Sequence, residues 1–100
     1  MKMKERMMEI VKTYFSSKHE FNAVSFSSGN YDYTNPYYRY YRDVELAFSK
    51  LKSEEKIIIT NDYFRVRNRD WWKVVFDRKD YLNLKKRAIA NFVRIFDEIH

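Results

Sequence analysis

The sequence contains no cysteine, and glycine and proline occur once each among its 100 residues. Without cysteine, neither a disulfide nor a thiolate metal site can form. The two histidines, His19 and His100, are too few and too far apart in sequence to suggest a metal pair. A single glycine leaves few positions where the backbone can approach a cofactor closely. We therefore expect packing to stabilise the fold, and we predict no metal and no cofactor.

Long hydrophobic runs are also missing, since no stretch approaches the roughly 18 apolar residues that a membrane span requires. The first residues, MKMKERMMEIVK, mix charged with apolar residues instead of forming a secretory signal. We find no glycine-rich phosphate loop, no serine with a suitable histidine partner and no carboxylate pair in an apolar context. These absences predict a cytoplasmic protein without a membrane partner, and they argue against an enzyme.

Hydrophobic residues, by contrast, make up 45% of the chain and aromatic residues 19%. A chain of this length and composition can bury a core, so we expect residues 1–100 to form a single domain. Positive charge is concentrated between Arg65 and Arg87, where nine basic and three acidic residues give a net charge of +6. The remaining residues are neutral overall. Such clustering is typical of a polyanion site, although a solvated basic face without a ligand is the alternative.

The spacing of apolar residues predicts a first helix from Met3 to near Ser17. Residues 17–35 lack this period and contain Ser-Ser-Gly-Asn, which predicts a connecting segment. Asn35 followed by Pro36 predicts the start of a second helix, which continues through the aromatic-rich stretch that follows.

Ser53 and the two glutamates after it place an oxygen acceptor and negative charge where a helix N-terminus is stabilised. They predict a third helix from Ser53 to about Phe64. Residues 57–76 also fit a β-meander of three short strands, because β-branched and aromatic residues alternate there with turn-forming residues. We favour the helix because of its Ser-Glu-Glu start and because of the segment that follows.

Asp77 predicts the cap of a long final helix, whose apolar positions keep a helical period for roughly five turns. The first half of this helix turns a set of polar residues outward: Arg78, Lys79, Asn83 and Lys86. We expect the front to contact a ligand and the rear to pack. The apolar stretch from Ala88 to Ile99 fits either the core or a homodimer interface.

Residues 50–96 resemble a known DNA-binding arrangement. The segments LKSEEKIIITNDYF, DWWKVVF and DRKDYLNLKKRAIANF resemble the helix-turn-helix of the fourth conserved region of bacterial sigma factors and of the phage late-gene activators called ArpU-like. Asp77 at the helix cap and the run Lys85–Ala88 carry the best match. The sequence departs from the families in two ways: Val75 or its neighbour stands where the turn usually has glycine, and Trp71-Trp72 stand where the supporting helix usually has a small alanine. We expect only one tryptophan to be fully buried, since neighbours on a helix point about 100° apart.

The resemblance implies a helix-turn-helix in residues 50–100. Together with the helices predicted from apolar spacing in residues 1–49, a part whose role is unknown, it predicts an all-α fold. It implies a DNA-binding transcriptional regulator or sigma-like factor, whose final helix enters the major groove of double-stranded DNA. The residues expected at base edges are Arg78, Lys79 and Asn83. The residues expected at phosphates are Arg65, Arg67, Arg69, Lys73, Lys85 and Lys86.

Two other functions remain open at the level of sequence. The aromatic N-terminal half would suit a protein-interaction module that docks on RNA polymerase or another complex. A β-meander in residues 57–76 would instead suit a protein that binds single-stranded nucleic acid or RNA, because aromatic side chains on a sheet stack on bases.

Overall fold

The computed structural model describes residues 2–28, 35–66 and 68–100, with side chains for all of these except 21–28. The described chain forms four α-helices: α1 (Met3–Ser28), α2 (Pro36–Ser49), α3 (Ser53–Ile59) and α4 (Arg78–Ile99). No strand occurs among the described residues. The all-α prediction is therefore confirmed, and the β-meander considered for residues 57–76 is wrong.

Two helix starts follow the capping chemistry predicted from the sequence. The Asn35 side-chain oxygen accepts hydrogen bonds from the backbone N–H groups of Tyr37 and Tyr38, at 2.9 and 3.4 Å. The proline that follows Asn35 occupies the first helical position, where its missing N–H costs nothing. Asp77 accepts a hydrogen bond from the backbone N–H of Asp80 at 2.9 Å. Both caps satisfy donors that the first turn of a helix leaves unpaired.

The first helix is longer than predicted. We expected a connecting segment over residues 17–35, but α1 continues to Ser28, and residues 29–34 lie outside the described residues. Between Met3 and Ser28 the sequence has neither glycine nor proline, so nothing in the backbone stops a helix that has already nucleated. The end of the apolar period therefore did not mark the end of the helix.

The start of α3 also differs in detail from the prediction. Ser53 is the first helical residue, and its side chain does not cap the helix. Instead, Glu55 accepts a hydrogen bond from the backbone N–H of Lys52 at 3.0 Å. The helical conformation then continues to Phe64, as predicted, but its last five residues, Thr60–Phe64, form a π-helical turn. The Asn61 side chain donates a hydrogen bond to the Ile57 carbonyl oxygen at 2.8 Å. In a regular α-helix this oxygen accepts from the backbone N–H four residues later, so the side chain competes with that bond.

The connection to α4 contains one 3₁₀ turn, Trp71–Val74, where the resemblance implies a supporting helix. Both Trp71 and Trp72 are half-buried, so the expectation that one would be fully buried is wrong. They pack on a small cluster beside α3 and α4, formed by Ile58, Tyr81 and Leu84. We call these three residues, together with the two tryptophans, the tryptophan cluster.

The main core lies between α1, α2 and α4. Its largest fully buried side chains include Met7 and Ile10 of α1, Val44 of α2, and Phe92 and Phe96 of α4. The apolar rear of α4 is thus buried within its own chain. Of the two interpretations of that stretch, this burial supports packing in the core, and a homodimer stays a prediction.

Candidate nucleic-acid interface

The exposed side of α4 presents three cations on one face. Arg78, Lys79 and Lys86 are exposed, as is Asn83, and all four turn away from the core as predicted. Positions seven and eight residues apart share a helix face, so these three cations follow a stripe about 12 Å long. None of the three has an ion pair with any residue that the structure describes. We call Arg78, Lys79 and Lys86 the α4 front.

The remaining cations of the basic segment on or near α4 have carboxylate partners. Lys85 Nζ lies 3.2 Å from Asp62 Oδ2, and the Lys85 side chain is only 24% exposed. Arg87 Nε lies 3.8 Å from Glu55 Oε2, and Lys73 Nζ lies 3.3 Å from Asp70 Oδ1. Among the cations of the basic segment that lie on α4, only Arg78, Lys79 and Lys86 therefore face solvent without a carboxylate partner in the described chain.

Three predicted phosphate ligands, Arg65, Arg67 and Arg69, precede the 3₁₀ turn, and of these the structure places Arg65 away from the α4 front. Arg65 lines a separate groove with Tyr14, Glu45 and Phe64, at the junction of α1, α2 and the π-helical turn. Arg69 is exposed in the connection before the 3₁₀ turn. Arg67 lies outside the described residues. Of these three residues, only Arg65 is therefore shown to belong to a different surface.

Asp62 positions the aromatic support beneath α4. Its Oδ1 accepts a hydrogen bond from Trp71 Nε1 at 2.8 Å, and its Oδ2 accepts one from the Tyr81 hydroxyl at 2.6 Å. The same Oδ2 forms the ion pair with Lys85. One carboxylate in the π-helical turn thus joins the 3₁₀ turn to the first turns of α4.

Tyr81 completes this support through its ring. Trp72 stacks on it with centroids 4.7 Å apart and an interplanar angle of 6°. Burial, followed by the hydrogen bond to Asp62, raises the pKa of the Tyr81 phenol, so the hydroxyl stays protonated and continues to donate. Tyr81 therefore packs in the cluster, and its hydroxyl is already used inside the protein.

Asn83 marks one edge of the α4 front. It lines a groove with Glu54, Asp80 and Arg87, where the two carboxylates offset the positive charge. The side of α4 beyond Asn83 is therefore less positive than the side that carries Lys79 and Lys86.

Two kinds of residue at this surface were not predicted from the sequence. Asp62 and Glu55 position the helix but carry no local pattern that marks them as partners of α4. Lys2 and Lys4 lie next to Lys85 and Lys86 although they are more than 80 residues away in sequence. The alternation of lysine and methionine at the start of the chain was the only available signal for them.

Comparison with known proteins found no match among family models, curated proteins or solved structures. None of the helices in the described ranges combines the length and the hydrophobicity that a membrane crossing needs. Within the same ranges, no three histidine, aspartate or glutamate side chains converge as metal ligands would.

Proposed function

We propose that this protein binds nucleic acid, with double-stranded DNA as its ligand, through the α4 front. The observation that carries the proposal is the contrast among the basic residues. Lys73, Lys85 and Arg87 have carboxylate partners, whereas the α4 front is exposed and has none in the described chain. Unpaired cations on one exposed face repel one another, and a polyanion removes that repulsion.

The dimensions of α4 suit the major groove. An α-helix with its side chains is about 10–12 Å wide, and the major groove of B-form DNA is about 12 Å wide. Arg78 and Lys79 occupy the first turn, where they can donate to guanine O6 and N7, and Asn83 follows one turn later. Lys86 lies further along the stripe, where it would contact a phosphate.

The similarity to sigma factor region 4 and to ArpU-like activators makes transcription regulation the setting that we propose for this binding. RNA polymerase is then a natural second partner. The alternative function, in which aromatic side chains on a β-sheet stack on the bases of single-stranded nucleic acid, requires a sheet. The described residues form none. Duplex DNA is therefore preferred to single-stranded DNA and to RNA as the ligand.

The proposal is tested by the salt dependence of binding to a short labelled duplex. Replacing Arg78, Lys79 and Lys86 together by alanine removes three phosphate or base contacts. We expect the slope of log K against log salt to become shallower by at least about 0.9, the value for the phosphate contact of Lys86, and by about 2.7 at most, where all three cations displace counterions. Fluorescence anisotropy between about 50 and 200 mM salt measures this slope.

The matched control replaces Lys12, Arg39 and Lys50, which are exposed on α1, α2 and the end of α2, and which carry the same total charge. This variant should keep the wild-type slope. Equal slopes for all three proteins, or equal losses in the two variants, would contradict the proposal. If the protein bound single-stranded DNA or RNA of the same sequence more tightly than the duplex, that single strand and not duplex DNA would be the ligand.

A further inference from the structure

A groove of about 350 Å³ separates the N-terminal turn of α1 from the exposed side of α4. Four lysines line it: Lys2, Lys4, Lys85 and Lys86. Between them lie three apolar side chains, Met3, Leu82 and Ile89. Ile89 is buried, whereas Met3 is 50% exposed and Leu82 is 48% exposed. The groove therefore has an apolar floor, part of which remains in contact with water.

Every charged side chain that lines this groove is a lysine, and no carboxylate does. Another groove on α1 provides a comparison within the same protein. It is also open and holds an exposed methionine, Met8, but Glu5 and Glu9 line it together with Lys4 and Lys12. The first groove therefore differs from this one in having no acid in its lining, and it adjoins the α4 front, because Lys86 belongs to both surfaces.

From this charge complementarity we infer that the nucleic-acid interface has a second side, in which Lys2 and Lys4 bind phosphates next to those that Lys86 contacts. The inference rests on the proposed function and extends it from one helix to two. The sugar-phosphate backbone then runs along the groove, with lysines of α1 on one flank and Lys86 on the other. Lys85 contributes less because it is already paired with Asp62.

The apolar floor fits the same ligand. A deoxyribose ring and a thymine methyl group both present apolar surface between charged phosphates, and side chains such as leucine and methionine contact such surfaces. Leu82 lies on α4 between Arg78 and Lys86, four residues from each, so a DNA strand whose base contacts Arg78 and whose phosphate contacts Lys86 passes over it. The interface predicted from the sequence comprises only residues between 65 and 87, so it includes neither Met3 nor Lys2 and Lys4 beside it.

The experiment compares salt slopes for duplex binding in wild type and in two charge-matched variants. Lys2→Gln with Lys4→Gln should make the slope shallower by about 1.8, which is about 0.9 for each phosphate contact. The control is Lys12→Gln with Lys50→Gln, which removes the same charge from exposed sites elsewhere and should leave the slope unchanged. Circular dichroism of each variant checks that the helix content is preserved.

A second pair of variants tests the apolar floor. Leu82→Gln should weaken duplex binding about fivefold at every salt concentration without changing the slope, because an apolar contact does not depend on released counterions. Leu46→Gln, at an exposed leucine of α2, is the control and should bind like wild type. If Leu82→Gln binds as tightly as wild type, the assignment of Leu82 to the interface is overturned.

The outcomes separate this inference from the proposed function. An unchanged slope in the Lys2 and Lys4 variant, with a shallower slope in the α4-front variant, overturns the second side and leaves the proposed function intact. Unchanged slopes in both variants overturn both. If the Lys2 and Lys4 variant loses binding to vesicles of anionic lipid and keeps duplex binding, the groove serves a lipid surface and the inference is also overturned.

Discussion

At the scale of single residues, Asp62 has the most consequences, because it is the acceptor for two aromatic side chains and the ion-pair partner of Lys85. Replacing it by alanine leaves the Trp71 N–H and the Tyr81 hydroxyl without this acceptor and leaves a half-buried ammonium group unpaired. We expect Asp62→Ala to lower the free energy of unfolding by about 2–4 kcal/mol. Urea unfolding followed by circular dichroism measures this loss.

Asp70 provides the control for this prediction. It also forms an ion pair with a lysine, Lys73, but both side chains are about 60% exposed. Solvent screens such a pair, so Asp70→Ala should change the free energy of unfolding by less than about 0.5 kcal/mol. Similar losses in the two variants would show that the Asp62 hydrogen bonds do not stabilise the fold.

Tyr14 gives a prediction about alkaline pH. Burial, followed by the neighbouring Glu45 carboxylate, raises the pKa of its phenol to about 12. Between the ordinary pKa of about 10 and this value, the unfolded chain loses the phenolic proton while the folded chain keeps it. The free energy of unfolding of wild type should therefore fall as pH rises through this window, more steeply than that of Tyr14→Phe by about 1.4 kcal/mol per pH unit.

Urea unfolding of both proteins from about pH 9 to pH 12 tests this, since lysine titration affects both alike. Parallel profiles for the two proteins would mean that the folded state does not hold the Tyr14 proton.

Sequence patterns predicted the exposed residues of α4 but not their partners. The outward positions of Arg78, Lys79 and Lys86 follow from helical periodicity, which is a local property of the chain. The pairs of Asp62 with Lys85 and of Glu55 with Arg87 join positions 23 and 32 residues apart. No spacing rule links such positions, so the sequence could not show which cations the fold would neutralise.

At the scale of secondary structure, the start of α4 sets the orientation of its front, and Asp77 fixes that start. Asp77→Ala removes the acceptor for the Asp80 backbone N–H, and it should lower the free energy of unfolding by about 1 kcal/mol. Asp77→Ser keeps an oxygen acceptor at the cap and should lose much less. Thermal unfolding compares the two variants with wild type. If serine and alanine destabilise the protein equally, the cap does not hold the first turn.

Some features of the secondary structure could be predicted from neighbouring residues in the sequence, and others could not. Helix starts depend on a few adjacent groups, so Asn35 and Asp77 were recognisable as caps. The extension of α1 to Ser28 depends on the absence of glycine and proline before that residue. The spacing of apolar residues, from which the end of the helix was predicted, carries no information about such helix breakers. The 3₁₀ turn at Trp71–Val74 depends on packing against Tyr81 and on the hydrogen bond from Trp71 to Asp62, both of which are tertiary contacts.

At the scale of the whole molecule, two hydrophobic clusters share the same helices. Ile58 packs in the tryptophan cluster, while its neighbour Ile59 packs in the main core. In α4, Tyr81 and Leu84 belong to the tryptophan cluster, and the residues from Ala88 onward belong to the main core. Because α3 and α4 each pass through both clusters, neither cluster can lose its packing without exposing part of the other. We therefore expect the domain to unfold in a single cooperative transition.

Both tryptophans lie in the small cluster, so their fluorescence reports on it, while far-ultraviolet circular dichroism reports on all the helices. Phe92 lies only in the main core and is fully buried. Phe92→Ala should lower the free energy of unfolding by about 3–5 kcal/mol. It should move the urea midpoints of both signals together, although it changes no residue near the tryptophans. A fluorescence midpoint that stays at its wild-type value while the dichroism midpoint falls would show that the support of the α4 front folds independently of the core.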